Sequence, residues 1–190
     1  MKVMVFHGYG SSPSRIKWLI KPFKELGAEV EAPKLPSPLV RAYQAVKDVE
    51  ADMYAGHSMG GALALLKASD QTKPAIAVAP PTDLKAQMEH MKNNEKLRGV
   101  YEEIVSALGG NLDLMYELSP IKRAYEAPIL IIHGTEDEVV PIEQSLRFCE
   151  KVENCELVVI EGMGHVPRGD HKETISSAIR KFWEKVWGRG

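Results

Sequence analysis

Short apolar runs alternate with amphipathic stretches along most of this chain, and that alternation leaves few folds open. Val3–Phe6, Ala28–Ala32, Asp52–Ala55, Ala75–Ala79, Ile129–Ile132 and Leu157–Ile160 read as strands. Arg15–Leu26, Leu39–Val49, Met59–Ala68, Ile142–Lys151 and His171–Trp187 read as helices. In the first of these, Ile16, Leu19, Ile20 and Phe23 share one face, and Gly27 supplies the stop. Most of the strand candidates are continuous apolar runs instead of alternating ones, which fits a sheet covered on both faces. Such a succession of βα units predicts an α/β fold in three layers, a mostly or wholly parallel sheet between two sets of helices. The 190 residues suit one domain, and a hydrophobic content of 44% is enough for a substantial core.

Pro81–Pro120 breaks the rhythm. It places Leu84, Met88, Met91, Leu97, Tyr101 and Met115 in helical patterns and offers no strand. It reads either as a helical insertion crossing the C-terminal edge of the sheet or as a pair of ordinary packing helices.

The formal net charge of −2 is spread over both signs, with no basic tract to hold nucleic acid and no acidic tail. Val3–Phe6 is too short for a signal-peptide core or a membrane span, so a soluble cytoplasmic protein, monomer or homodimer, is expected, with neither nucleic acid nor membrane as partner. Cys149 and Cys155 are the two cysteines. They make no metal or disulfide framework, and in a reducing cytosol free thiols are favoured over a bond between a helix end and the next strand. No cofactor or metal is expected.

The chemistry centres on Gly56-His57-Ser58-Met59-Gly60. A serine hydroxyl attacks only when its geometry exposes it and a base takes its proton. A G-x-S-x-G turn between a strand and a helix provides the exposure, because its glycines tolerate a strained backbone. Asp137, in the loop after Ile129–Ile132, is the candidate acid, with Glu136, Glu138 and Asp83 as competitors. His165, carried back over the sheet by Glu161-Gly162-Met163-Gly164, is the candidate base. His171 is expected to be exposed, His57 and His133 have enough to do in packing or hydrogen bonding, and His90 carries no motif. The oxyanion of an acyl transfer also needs donors, for which the backbone N–H groups of Met59 and Tyr9 are the candidates.

These residues resemble the α/β-hydrolase superfamily over nearly the whole chain. The motifs are His7-Gly8-Tyr9-Gly10, Gly56-His57-Ser58-Met59-Gly60, His133-Gly134 with Asp137 and Val140-Pro141, and Gly164-His165. The order Ser58, Asp137, His165 is that of this superfamily and not of the unrelated serine protease folds. The opening stretch through Ser11-Ser12-Pro13 looks like short bacterial esterases, and the second half looks like dienelactone-hydrolase-like and prolyl-oligopeptidase-like members. The resemblance implies a reduced, six-stranded sheet, with no room for the two antiparallel strands that usually come first. It implies a short cap-like insertion at about 81–120 over a fairly open site. Ser58 stands where true dienelactone hydrolases use cysteine, which puts that specific activity in doubt. The function expected is a carboxylesterase acting on small to medium acyl esters, with a thioesterase, a peptidase or a weakly catalytic binding protein of the same fold as alternatives. Tyr9, Met88, Met91 and Val139 are the candidate substrate contacts, with Leu97 and Met115 as further wall residues.

Overall fold

The structure, a computed structural model, describes residues 1–188. Six strands form one sheet: β1 (Lys2–Phe6), β2 (Glu29–Glu31), β3 (Met53–His57), β4 (Ala75–Val78), β5 (Ile129–Gly134) and β6 (Cys155–Ile160). Their spatial order is β2-β1-β3-β4-β5-β6, and every pairing is parallel. This is the three-layer α/β architecture that the apolar runs predict.

Both faces are covered, and the pleat divides the strand residues between two cores. Met4, Phe6, Tyr54, Ala77 and Ile131 pack toward α2 (Leu39–Ala45), α3 (Met59–Gln71) and α7 (Glu143–Lys151). Val3, Val5, Ala55, Ile76 and Ile132 face the other way, against α1 (Lys17–Glu25) and α8 (Asp170–Trp187). Residues one apart in a strand point to opposite faces, so the four central strands are buried on both faces, while the edge strands β2 and β6 carry exposed Glu29, Glu31 and Glu156.

The chain runs from β1 out to the edge strand β2 through α1, then returns through α2 to β3 on the other side of β1. The sheet therefore has a switch point between β1 and β3. Connections leave these strands in opposite directions there, and a crevice opens beyond their C-terminal ends. The loop after β1 and the turn after β3 both end in that crevice.

The segment after β4 holds α4 (Leu84–Lys92), α5 (Arg98–Ala107) and the single turn α6 (Asp113–Tyr116), with no strand. Asp83 caps α4, its carboxylate accepting from Ala86 N–H at 3.0 Å.

Two expectations need correction. The cysteines are not free: Cys149 and Cys155 form a disulfide that ties the last turn of α7 to the first residue of β6. A separation of six residues spans the short link between the two elements, so the thiols meet. Helix α2 ends at Ala45, short of Val49. The buried ammonium of Lys67 takes the carbonyls of Val46 and Lys47 at 2.9 and 3.0 Å and closes the helix there. Among the described residues, no helix is long and apolar enough to cross a membrane.

Candidate active site

Ser58 stands between the end of β3 and the start of α3 with φ 57° and ψ −122°, a backbone conformation strained for any residue with a side chain. The strain is held from both sides. Ser58 N–H donates to Val78 O at 2.9 Å, and Ser58 O accepts from Ala62 N–H at 3.1 Å. The flanking glycines are obligatory: a Cβ on Gly56 would lie 1.9 Å from Gly60 O, and one on Gly60 would lie 2.1 Å from Phe6 O. The tightness of this turn lifts the Ser58 side chain above the sheet, at the end of α3 where backbone N–H groups have no partner within the helix.

The structure brings Ser58, His165 and Asp137 together. His165 Nε2 is 2.9 Å from Ser58 Oγ, and His165 Nδ1 is 2.8 Å from Asp137 Oδ2. A carboxylate can only accept, so Nδ1 carries the ring proton and Nε2 is the free acceptor facing the serine hydroxyl. The Asp137 carboxylate is fully buried. Its Oδ1 accepts from Val139 and Val140 N–H, both at 2.9 Å, and its Oδ2 also has His133 Nε2 at 3.2 Å. Burial alone would raise this carboxyl, but the hydrogen bonds from His133 and His165 outweigh it, and Asp137 is held well below the usual carboxylate range. His133 is itself fixed, by Ser145 Oγ at 2.6 Å and Val140 O at 2.8 Å.

The competing residues have other partners. Asp83 caps α4, the Glu138 side chain is 82% exposed beside Lys96, and His90 Nε2 lies 2.8 Å from Glu138 O. His57 is buried against the site. Its ring lies 4.9 Å from that of His165, and its Nε2 lies 2.7 Å from His165 O. Burial first, and then the neighbouring His165, push its pKa down to about 4, so the ring is neutral at pH 7.

A cavity of about 320 Å³ opens beside Ser58. Gly8, Tyr9 and Met59 are among the residues that line it together with Ser58. The loop after β1 passes close enough that a Cβ on Gly8 would touch Ser58 Cβ at 3.5 Å. The Tyr9 hydroxyl donates to Glu103 on α5 at 2.8 Å, and burial together with that carboxylate pushes it up to about 12. The inserted helices α4, α5 and α6 supply much of the remaining wall, including Met91, Leu97, Ile104 and Met115, while Val139 enters from the Asp137 loop.

Of the expected contacts, Tyr9, Met91 and Val139 line this cavity; Met88 does not. Met88 is 1% exposed and buried in the same core cluster as Met91, which is 7% exposed and stands almost one turn further along the same side of α4, where it borders the cavity. Sequence reasoning missed Val100, Ile104 and Gln87. The spacing of Leu97, Val100 and Ile104, three and then four residues apart, was the available signal for the first two. Gln87 gave none. It is fixed by donating to Val139 O at 2.9 Å and accepting from Gln144 at 2.8 Å.

The doubly covered parallel sheet, with a strained serine at its switch point and a histidine and a carboxylate on later loops, defines an α/β-hydrolase. Residues 43–190 match the model of the prolyl oligopeptidase family, and the chain belongs to that family. It is similar to Est1E from Butyrivibrio proteoclasticus, at 22% identity with a TM-score of 0.72, over 99% of this chain and 88% of that one. It is similar to an esterase of Thermogutta terrifontis with butyrate bound, also at 22% identity and TM-score 0.72, over 100% of this chain and 85% of the other. These two likenesses are likenesses of fold. A 60-residue stretch is 32% identical to 2-hydroxymuconate semialdehyde hydrolase of Pseudomonas putida; it makes up 32% of this chain and spans only 21% of that protein.

Proposed function

We propose that the chain is a serine carboxylesterase acting on small to medium acyl esters. The observation that carries this reading is the continuous relay from Ser58 Oγ through His165 to Asp137. Ser58 Oγ attacks the ester carbonyl while His165 Nε2 takes its proton, and Asp137 steadies the imidazolium that forms. The N–H groups of Met59 and Tyr9 receive the charge that develops on the carbonyl oxygen. His165 then returns the proton to the departing alcohol, leaving an acyl group on Ser58. Water, deprotonated by the same nitrogen, attacks that acyl carbonyl, and the freed Ser58 oxygen regains its proton.

The wall chemistry supports an uncharged acyl group. Among the described residues, those lining the cavity include no Lys, Arg, Asp or Glu, and Gln87 is held by its own partners. A fluorophosphonate probe tests the mechanism. Labelling is expected at Ser58 in the native protein and is expected to be lost in His165→Ala. Equal labelling in that variant, or an adduct elsewhere, overturns it. A series of p-nitrophenyl esters from acetate to decanoate tests the substrate class, and negligible turnover throughout would favour thioesters or peptides.

A further inference from the structure

We infer that His57 is a positioning residue, which through its ring N–H holds the backbone carbonyl of His165 and so keeps the base between Ser58 and Asp137. The inference rests on the acyl-transfer reading above.

A carbonyl oxygen only accepts, so the 2.7 Å contact between His57 Nε2 and His165 O fixes the proton on Nε2. The donor ring is itself wedged. On one side lies the His165 ring at 4.9 Å, and on another Trp18 of α1 meets it edge-on at 5.3 Å and 80°. The bond matters because of what surrounds it. Before the base, the loop is pinned as far as Met163, whose carbonyl accepts from Glu136 N–H at 3.0 Å. After it, the next backbone bond runs from His171 N–H to Arg168 O at 3.1 Å. Among the described residues, no other hydrogen bond holds the backbone of 164–167. The imidazole must keep Asp137 on one nitrogen while the other takes a proton from Ser58 and gives it to the departing oxygen. A ring whose main chain drifts cannot keep both alignments, and small displacements of a reacting group are expensive in rate.

His57 also adjoins Ser58 in the chain, at the end of a strand buried along its whole length. The serine and the anchor of its base are thus carried by one dipeptide, although the anchor reaches across 108 residues of sequence.

The experiment compares His57→Phe, which keeps a ring but loses the donor, with His57→Gln, whose amide N–H reaches to nearly the same place. Kinetics with p-nitrophenyl butyrate and labelling rates with a fluorophosphonate are measured beside thermal midpoints. In His57→Phe, kcat is expected to fall by about tenfold or more with KM changed less than about twofold, and labelling is expected to slow in parallel. His57→Gln is expected to recover most of the loss. Wild-type kcat in His57→Phe, or a His57→Gln as slow as His57→Phe, overturns the inference. If His57→Phe does not fold, His57→Asn replaces it, since its amide is too short to reach the carbonyl. Asn slow and Gln fast supports the inference, and equal rates overturn it. Ser58→Ala runs alongside. Retained turnover there sinks the acyl-transfer reading and this inference with it, whereas lost turnover with an unimpaired His57→Phe sinks this inference alone.

Discussion

The Cβ that Gly134 lacks would stand 2.0 Å from the carbonyl oxygen of Met163. The end of β5 and the loop that delivers His165 are pressed together at that point, so the spacing of the acid and base loops depends on a missing methyl group. Gly134→Ala is expected to destabilise the fold by about 2–3 kcal/mol through forced backbone displacement, and to lower kcat as His165 shifts. Gly164→Ala is the control. Its nearest neighbour would be Glu136 O at 3.8 Å, an ordinary contact, and its unfolding free energy in urea is expected to stay within about 0.5 kcal/mol of wild type.

Asp137 links the site to the acid limb of stability. Its carboxyl is held below the ordinary range in the folded chain, so its contribution is fully present above the unfolded value and is lost as pH falls toward the folded one. The thermal midpoint of the wild type is expected to drop more steeply below about pH 4 than that of Asp137→Asn. At neutral pH the same variant is expected to lose about a thousandfold or more in kcat, because an amide N–H facing His165 forces the wrong tautomer.

Met88 and Met91 lie on the same side of α4, but only Met91 lines the cavity, which separates selectivity from stability. Met91→Ala enlarges the cavity, and the ratio of kcat/KM for hexanoate over acetate esters is expected to rise. Each further buried methylene is worth about 0.8 kcal/mol, or roughly fourfold. Met88→Ala is expected to lower stability by about 2–5 kcal/mol with the ratio unchanged, since it opens the core and not the cavity.

The Cys149–Cys155 bond closes a short loop, so its stabilisation is modest. Reduction is expected to lower the unfolding free energy by about 2 kcal/mol in the chain-entropy picture. Iodoacetamide in denaturant, checked by mass, is expected to label neither cysteine until a reductant is added.

The central strands were legible because burial on both faces leaves nothing but apolar runs. The start of β6 was not, because this edge strand is half exposed and Glu156 lies among its apolar residues, its carboxylate meeting Lys185. The full length of α2 was misjudged because a lysine from α3 decides where it ends. At the site, Ser58, Asp137 and His165 could be named as candidates from motifs, since Ser58 directly follows a strand and the other two lie in the short loops after later strands. The tether from His57, the wall from Ile104 and the burial of Met88 depend on how α3, α4, α5 and the His165 loop pack. Such contacts join residues far apart in sequence and leave no local signature. The cysteine spacing permits a bond, but the expected reducing cytosol favours thiols, and the approach of α7 to β6 decides against that expectation.

The helices α4, α5 and α6 enter between β4 and β5, two strands that pair directly with each other. Lengthening that segment beyond α4 leaves the sheet ladder closed and removes none of Ser58, Asp137 and His165, while α4 itself braces the Asp137 loop through Gln87. Much of the cavity wall and the three residues of the relay therefore lie in different stretches of the chain. Selection, natural or in the laboratory, can reshape that wall on α5 and α6 while the relay residues stay where they are.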